Sequence, residues 1–486
     1  MNKLEALKKI NIGERVAEQE ADGLKDYFLK TYLWEQLLNN QIDIVFGCKG
    51  SGKSALYTSL SSNAYNLIDS NTILALAENP RGTIAFKDLS ITPPTGEFEF
   101  KGIWKLYFVL IITQKLEEFK CSDHNLTLVI EKLQESDLIP RRATFGAMVK
   151  MVRDYIRKIH PTIEPNIGLN EHSGNIEKIG FKISLSEPTA KQTDKGIVSV
   201  DYLLELLNAA LDKTKNKVWV AIDRLDAIFQ ENFDLEATAL RTLFQVYIDL
   251  QGHENMRLII FLRDDIWSRI IEHGFRETSH ITKTDLIRWD KISLFELLMT
   301  RFTNNDFLFD YFSMQKSSSK KSQELMFDKI FPKQSANGSK FTFNWLVSRV
   351  EDGSSNPNPR ELIQLVNSAI KNEINLMDQG IKRYDSLITI DSIYFGLKEA
   401  SATKLNTVIA EYPQAKTYIN KLKGSKVRLK FEELRGIWGC NKRDAKIVCN
   451  TLIKIGFFKN ESKDEDNLNV FIPHIYRPAL GFSYQH

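Results

Sequence analysis

Residues Gly47-Cys48-Lys49-Gly50-Ser51-Gly52-Lys53-Ser54 directly follow the apolar run Ile42-Asp43-Ile44-Val45-Phe46. The octapeptide has the pattern G-x-x-x-x-G-K-S, in which glycines allow successive backbone N–H groups to point at one centre. The next residues, Ala55 to Leu60, are prone to form a helix, and the positive end of its dipole attracts an anion. The stretch predicts a strand, a phosphate-binding loop and a helix, which together begin an α/β P-loop NTPase domain.

The residues of this loop have predicted roles toward a nucleoside triphosphate. Lys53 is expected to reach the β- and γ-phosphates, and the Ser54 hydroxyl to bind a bridging Mg²⁺. The expected ligand is Mg-ATP or Mg-GTP, and the alternative is a glycine-rich turn that matches the pattern by chance. The residues assigned to the nucleotide are Gly47, Cys48, Lys49, Gly50, Ser51, Gly52, Lys53, Ser54 and Ala55.

A second acidic motif follows the apolar run Val218-Trp219-Val220-Ala221-Ile222. Asp223 comes directly after this predicted strand, and Asp226 follows three residues later. Strands of an open parallel sheet present their carboxyl ends to the ligand, so Asp223 is assigned to Mg²⁺. Asp226 is the candidate to orient or deprotonate an attacking water. The alternatives are a capping role for Asp223 and a helix N-cap or surface position for Asp226.

Two arginines are further candidates for contact with the nucleotide. Arg263 directly follows the predicted strand Arg257 to Leu262 and is assigned to the γ-phosphate. The alternative is an ion pair with Asp264 or Asp265. Arg360 follows Pro359, a residue that suits the first turn of a helix, and is assigned to nucleotide binding. Its alternative role is to pack its aliphatic stem and pair with a nearby carboxylate.

Composition indicates a folded, multidomain protein. The chain has 486 residues, 43% of them hydrophobic, and its 65 Lys and Arg nearly balance its 62 Asp and Glu, so any nucleic-acid contact must be local. The four cysteines show no C-x-x-C spacing, which argues against a disulfide framework or a zinc site and favours a reducing cytoplasm. The most apolar run, Trp104 to Thr113, is too short to span a bilayer, so no membrane anchor is expected.

The order of predicted elements divides the chain into four regions. Residues 1–40 are N-terminal helices expected to pack on an ATPase core at residues 41–292, which has an insertion around residues 100–200. Strands separated by helices predict a parallel sheet with helices on both faces. We assign a candidate strand at Gly82 to Phe86 and a hairpin edge or bulge at Lys178 to Leu185. Residues 293–400 are predicted to form a helical lid.

Residues 401–486 are predicted to be a winged-helix domain. A helix at Phe431 to Trp438, a short turn, a second helix at Lys442 to Gly456 and a hairpin are its elements. The second helix begins with basic residues that can face DNA, whereas the loop of the hairpin is acidic and would repel phosphates. DNA binding and protein contact both remain open. The basic residues are Lys442, Arg443 and Lys446, and the acidic ones are Glu461, Asp464, Glu465 and Asp466.

With Gly47 to Ser54, Asp223 and Asp226, Arg263, and the segment Pro357-Asn358-Pro359-Arg360, the chain resembles AAA+ and STAND-type P-loop ATPases, including origin-recognition ATPases. It is also similar to uncharacterised bacterial P-loop ATPases, some of them encoded beside phage-defence genes. The resemblance implies ATP and Mg²⁺ as cofactors, ATP hydrolysis, and a sensor role for Arg263 and Arg360. It implies a homo-oligomer or an effector partner.

Two departures from the family pattern bear on its activity. Pro357 stands where the lid motif prefers glycine, and Arg224 follows Asp223 where many AAA+ enzymes have glutamate. The hypothesis is a cytoplasmic ATPase switch that controls a partner, and the resemblance implies a role in anti-phage defence. The alternatives are a DNA-dependent initiator or loader ATPase and a low-turnover, ATP-stabilised scaffold. An arginine finger supplied by a neighbouring subunit is a further possibility, and its candidates are Arg269, Arg276 and Arg301.

Overall fold

The computed structural model describes residues 1–15, 21–77, 96–138, 151–152, 154–155, 182–225, 233–272, 274–334, 338, 341–381, 386–462 and 468–482. The chain forms two compact units. The sheet unit comprises Thr31–Lys49 and Lys53–Ile287, and the helical unit comprises Met1–Lys30, Gly50–Gly52 and Arg288–His486. The predicted strand at Gly82 to Phe86 falls outside the described residues, as does Asp226.

The strands, in chain order, are β1 Ile44–Gly47, β2 Thr72–Ala77, β3 Ile183–Ser184, β4 Val198–Ser199, β5 Lys217–Ile222, β6 Met256–Arg263, β7 Thr284–Leu286, β8 Arg428–Lys430, β9 Lys459–Asn460 and β10 Asn469–Phe471.

The α-helices, in chain order, are α1 Lys3–Lys9, α2 Ala21–Tyr27, α3 Tyr32–Leu38, α4 Lys53–Ser62, α5 Ala64–Asp69, α6 Glu97–Glu118, α7 His124–Glu135, α8 Ala190–Asp194, α9 Val200–Lys213, α10 Phe233–Leu250, α11 Asp264–Glu272, α12 Lys291–Thr303, α13 Phe307–Tyr311, α14 Lys320–Ile330, α15 Phe343–Val350, α16 Pro359–Asp378, α17 Ile390–Glu411, α18 Lys416–Asn420, α19 Phe431–Trp438 and α20 Lys442–Lys454. Short 3-10 helices lie at Arg276–His280, Pro413–Ala415, His474–Tyr476 and Pro478–Leu480.

A five-stranded parallel sheet in the order β2-β5-β6-β1-β7 forms the centre of the sheet unit. Every residue of β1 is buried, as are the first seven residues of β6, so helices cover both faces of these strands. The predicted α/β P-loop class is confirmed. β6 lies between β1, which leads into the phosphate loop, and β5, which leads into Asp223.

Two details of the sheet unit differ from the sequence analysis. The edge strand β2 lies at Thr72–Ala77, a stretch rich in leucine and alanine that carries no strong strand signal. The short strands β3 and β4 pair in parallel, with Ile183 opposite Val198, so the predicted hairpin edge at Lys178 to Leu185 is wrong for its described part. A parallel pair needs a crossover connection, which local sequence does not reveal.

Asp43, the residue before β1, joins several elements of the sheet unit. Its backbone N–H donates to Lys283 O (2.8 Å), and its carbonyl accepts from Ile260 N (2.8 Å). Its buried carboxylate accepts from Arg257 Nε (2.7 Å) and from the Tyr247 hydroxyl (3.1 Å). These bonds fix β1 between β6 and β7.

Arg257 extends this network beyond the sheet. Its guanidinium donates to the carbonyls of Leu37 (2.9 Å) and Ile42 and lies 4.2 Å from the centroid of the Trp219 ring. Burial lowers the pKa of Arg257, while the Asp43 carboxylate opposes that shift. The ion pair therefore ties the end of α3 to three strands.

The helical unit has its own core, which joins helices α12 to α17 to the C-terminal elements. Helices α16 and α17 pack closely, since a Cβ on Gly396 would lie 2.2 Å from Leu365 O. The order α19, α20, β9 and β10 matches the predicted helix, helix and hairpin. The strand β8 before α19 was not predicted, and β10 pairs antiparallel with both β8 and β9. We call residues 428–471 the C-terminal module. Its assignment as a winged helix stays a prediction.

The first fifteen residues belong to the helical unit, although the sequence analysis expected residues 1–40 to pack on the ATPase core. Lys3 Nζ donates to Glu373 Oε1 (2.9 Å), and both side chains are at most 3% exposed. Farther along, Arg301 Nη1 donates to Ile12 O (2.6 Å). Helix α3, by contrast, lies in the sheet unit. The predicted domain boundaries remain a prediction.

The Asp43–Arg257 pair generates a stability prediction. Arg257→Leu leaves the buried Asp43 carboxylate with only the more distant, partly exposed Lys283 (3.8 Å) as a cationic neighbour, and we expect it to lower the free energy of unfolding by about 3 kcal/mol. The double variant Asp43→Asn/Arg257→Leu removes both charges and is expected to lose clearly less. Urea unfolding followed by circular dichroism measures both, and a double variant as unstable as Arg257→Leu would contradict the assignment.

Candidate functional site

The phosphate loop begins at the carboxyl end of β1, as predicted. Gly47 is the last residue of β1 and pairs in register with Arg263 of β6, and α4 begins at Lys53. Gly50 and Gly52 have φ angles of +90° and +106°, values that side-chain-bearing residues rarely adopt. The glycines at these two positions therefore make the turn possible.

Lys53 lies over its own loop. Its Nζ donates to the carbonyls of Gly47 (2.6 Å) and Cys48 (3.0 Å). A cation held by neutral carbonyls can exchange them for anionic phosphate oxygens, which are stronger acceptors. This arrangement suits the phosphate-binding role predicted for Lys53.

Ser54 and Asp223 meet at the carboxyl edge of the sheet. The Ser54 hydroxyl donates to Asp223 Oδ2 at 2.9 Å, and Asp223 is only 5% exposed. The two residues are 169 positions apart in sequence, so β1 and β5 must both be in place before these oxygens meet. The structure thus brings together both predicted Mg²⁺ ligands.

The backbone turns sharply after Asp223. Arg224 has a φ of +59°, a left-handed conformation that costs about 1–3 kcal/mol for such a residue and tends to occur at functional sites. Asp226, the predicted water-activating carboxylate, lies outside the described residues. Its catalytic role stays a prediction.

Arg263 makes the ion pair that was its alternative role. Its Nε and Nη2 donate to the two carboxylate oxygens of Asp265 at 2.9 and 2.8 Å. Such a bidentate pair holds the guanidinium in one orientation. Contact between Arg263 and a phosphate therefore requires this pair to open or to be shared, and the predicted role stays untested.

Asp264 is a carboxylate that the sequence analysis did not assign to the site. Burial raises its pKa, the neighbouring Asp265 raises it further, and the charge of Lys53 opposes the shift. Because Gly47 pairs with Arg263, Asp264 lies one residue beyond the paired end of β6, near the start of the loop. The run of polar residues after β6 is the sequence signal that could have identified it.

Arg360 contacts the middle of the phosphate loop within the helical unit, to which Gly50–Gly52 belong. A Cβ placed on Gly50 would lie 3.1 Å from Arg360 Cβ and 3.5 Å from its Nε. Trp289 Nε1 donates to Ser51 O at 2.7 Å. Arg360 and Trp289 thus contact Gly50 and Ser51, the part of the loop that belongs to the helical unit, and the contact of Trp289 was not predicted.

Arg15 lies near Arg360. Arg15 Nη1 donates to Gln364 Oε1 at 3.0 Å, and Gln364 is one helical turn after Arg360 on α16. Burial lowers the pKa of Arg15 and the positive charge of Arg360 lowers it further, while Glu361 opposes both effects. The two guanidinium groups therefore repel each other, and Glu361 partly offsets that repulsion.

The C-terminal module exposes Lys442 and Arg443 in the first turn of α20, while Lys446 is half-buried. In the hairpin, Glu461 forms an ion pair with Arg428 (3.2 Å). The other predicted acidic residues, Asp464, Glu465 and Asp466, lie outside the described residues. The basic start of α20 is therefore accessible to a partner.

Within the described residues, no group of three or more His, Cys, Asp and Glu side chains forms a metal cluster. No helix in that part of the chain is both long and apolar enough to cross a membrane.

Comparison with known proteins gives structural resemblance only. No protein-family profile and no curated protein matches the chain. The ORC2 protein of Aeropyrum pernix, solved as ADPNP–ADP complexes, is 13% identical with a TM-score of 0.32, over 97% of this chain and 94% of that chain. The ORC1 protein of Aeropyrum pernix in complex with DNA is 10% identical with a TM-score of 0.36, over 99% of this chain and 97% of that chain. These similarities assign no ligand or activity to this chain.

The two loop glycines provide a matched test of the Arg360 contact. An alanine at either position adopts an unfavourable φ, which costs about 1–3 kcal/mol. At Gly50 the new Cβ also meets Arg360, whereas nothing lies within 4 Å of a Cβ at Gly52. We expect Gly50→Ala to lower the thermal unfolding midpoint more than Gly52→Ala. Equal shifts would show that Arg360 does not constrain the loop.

Proposed function

We propose that this protein is an AAA+-type P-loop ATPase that binds Mg-ATP and acts as a nucleotide-dependent switch. The observation that carries the proposal is the 2.9 Å hydrogen bond between Ser54 and Asp223 at the end of a phosphate loop. Either residue alone has ordinary structural explanations. A loop with Lys53 and Ser54 beside a buried carboxylate is the arrangement that a magnesium nucleotide needs.

The oxygen atoms present fit the size of Mg²⁺. Oxygen ligands about 2.0–2.1 Å from an octahedral Mg²⁺ lie about 2.9 Å from their neighbours. The Ser54 and Asp223 oxygens are already 2.9 Å apart. Mg²⁺ usually keeps several waters and takes one or two protein ligands together with phosphate oxygens, so a larger carboxylate cluster is not required. A bound Mg²⁺ supplies charge neutralisation on the phosphates.

The chain's own residues then have distinct roles in the proposal. Lys53 leaves the loop carbonyls and binds phosphate oxygens, and the loop N–H groups orient them. Arg360, beside Gly50, contributes positive charge. Asp226 is proposed to orient the attacking water. ATP rather than GTP is proposed from the resemblance to AAA+ and STAND ATPases.

Slow turnover fits the residues around Asp223. Arg224, which has a left-handed backbone conformation, occupies the position directly after Asp223, where many AAA+ enzymes have a water-activating glutamate. Arg263 is held by Asp265. Phosphoryl transfer depends on positioning and charge stabilisation, so both features favour binding over rapid hydrolysis. ATP state would then select between conformations that a partner recognises. A role in anti-phage defence is proposed from the resemblance alone.

Loss of the Lys53 ammonium tests nucleotide binding. We expect Lys53→Ala to weaken Mg-ATP binding by about 10- to 100-fold, since a hydrogen bond to a charged group is worth about 1.5–3 kcal/mol. The control is Lys217→Ala, which removes an exposed lysine where β5 begins, at the opposite edge of the sheet. Titration calorimetry measures both affinities. Similar affinities for both variants would refute the assigned site.

A homo-oligomer is the proposed assembly, with an arginine supplied by a neighbouring copy. Arg301 is buried and donates to Ile12 O, and Arg269 forms an ion pair with buried Glu236 (3.2 Å). Arg276 is exposed in the short 3-10 helix before β7. Of the three arginines, Arg276 is therefore proposed as the one that reaches another subunit.

DNA-dependent ATPase activity is the second candidate, favoured by the exposed Lys442 and Arg443 at the start of α20. The experiment measures ATP turnover and particle mass with and without duplex DNA, for the wild type, Lys53→Ala and Asp226→Asn. DNA-stimulated turnover lost in both variants would favour the loader. Assembly that requires ATP and is unchanged by DNA would favour the switch. Assembly without ATP turnover would favour the scaffold.

The same experiment has a charge-matched control. Lys442→Ala/Arg443→Ala and Lys320→Ala/Lys321→Ala each remove two positive charges, and all four side chains are exposed. If α20 contacts DNA phosphates, the first pair is expected to reduce the salt dependence of DNA binding by about two counterions, whereas the second pair leaves it unchanged. Equal effects would show that net charge, not this surface, attracts DNA.

A further inference from the structure

The segment before Arg360 makes a close backbone contact with the C-terminal module. Gly353 N donates to Gly456 O at 2.7 Å. A Cβ on Gly353 would lie 2.1 Å from Phe458 O, so no larger residue fits without movement. Gly456 and Phe458 connect α20 to β9. The chain that leads into α16 is therefore fixed to the junction between the module's second helix and its hairpin.

A buried ion cluster lies at the same place. Lys404 Nζ of α17 is 3.2 Å from Asp352 Oδ2 and 3.4 Å from Glu361 Oε1, and the three side chains are at most 12% exposed. Burial lowers the pKa of Lys404, but the negative charges of Glu361 and Asp352 and its interaction with Tyr476 raise it well above its usual value. The lysine is charged and holds the segment before α16 and the first turn of α16 together.

The cluster reaches both Arg360 and the C-terminal end of the chain. Glu361 follows Arg360 directly, and its negative charge raises the pKa of Arg15. Gln364, which accepts from Arg15, donates to the Thr403 hydroxyl (2.6 Å), the residue before Lys404. On the other side, a Cβ on Gly456 would lie 3.1–3.3 Å from the Asp352 carboxyl group.

Several polar atoms in this region are buried without a hydrogen-bond partner among the described residues. They are Arg360 Nε, Glu361 Oε2 and the Tyr476 hydroxyl oxygen. In native protein structures, buried polar atoms nearly always have a hydrogen-bond partner. Such a group of unpaired donors and acceptors, next to a charged cluster, is suited to a second hydrogen-bonding arrangement.

We infer that Asp352, Lys404 and Glu361 couple the nucleotide-dependent position of Arg360 to the conformation of the C-terminal module. The inference rests on the proposed nucleotide site. Separating one buried charge from its partners is costly. When the first turn of α16 moves, Lys404 and the segment that contains Asp352 therefore move with it. Gly353 then transmits it to Gly456 and the helix that exposes Lys442 and Arg443.

Hydrogen exchange of the full-length protein, with and without Mg-ATP, tests the coupling. In the wild type, ATP is expected to change the exchange of amides in α20 and β9. The triple variant Asp352→Asn/Glu361→Gln/Lys404→Met keeps similar volumes and leaves no unpaired buried charge. We expect the triple variant to bind ATP but to show an ATP-dependent change in amide exchange that is smaller by about fivefold or more. Fivefold is the lower end of the coupling typical between two sites.

The matched control is Lys3→Met/Glu373→Gln, which neutralises a different buried ion pair of the same unit. It is expected to keep the ATP-dependent change in α20, so general destabilisation is distinguished from loss of coupling. The single variant Asp352→Asn provides the test if the triple variant does not fold. An ATP-dependent change that persists in an ATP-binding cluster variant, or that is missing in an ATP-binding wild type, would overturn the coupling. A wild type that binds no ATP would instead refute the proposed function.

Discussion

The buried pair between Asp43 and Arg257 is the constraint on which the geometry of the sheet unit depends. Asp43 immediately precedes β1, and its backbone is bonded to both neighbouring strands. A one-residue shift of β1 would move its side chains to the opposite face of the sheet and displace the phosphate loop. The ion pair at one edge of the sheet therefore fixes where Gly47 and Lys53 lie at the other edge.

Polar side chains at the carboxyl edge of the sheet are held by hydrogen bonds to one another and to the loop backbone. The Ser54 hydroxyl donates to Asp223 Oδ2 at 2.9 Å, and Lys53 Nζ donates to the carbonyls of Gly47 and Cys48. By contrast, the Arg263 guanidinium is already paired with Asp265. These hydrogen bonds are the basis for proposing that nucleotide binding, rather than rapid hydrolysis, is the main property of the site.

The helical unit depends on contacts between residues that are far apart in sequence. Lys3 binds Glu373, Arg15 binds Gln364, and Lys404 joins carboxylates at two separate positions. The sequence predicted a helical lid over residues 293–400, the region that contains α16. It gave no indication that the N-terminal residues lie along α16, because an exposed lysine and a buried, paired lysine look the same in a single sequence.

Sequence alone determined the parts of this protein whose chemistry depends on local spacing. The loop from Gly47 to Ser54 needs its glycines, lysine and hydroxyl within eight residues, and Asp223 is identified by the strand before it. Tertiary structure alone decided which partner each charge takes. Asp43 pairs with Arg257, and Lys404 is buried between Asp352 and Glu361, because the energy of a charge depends on its burial and on neighbours that only the fold brings together.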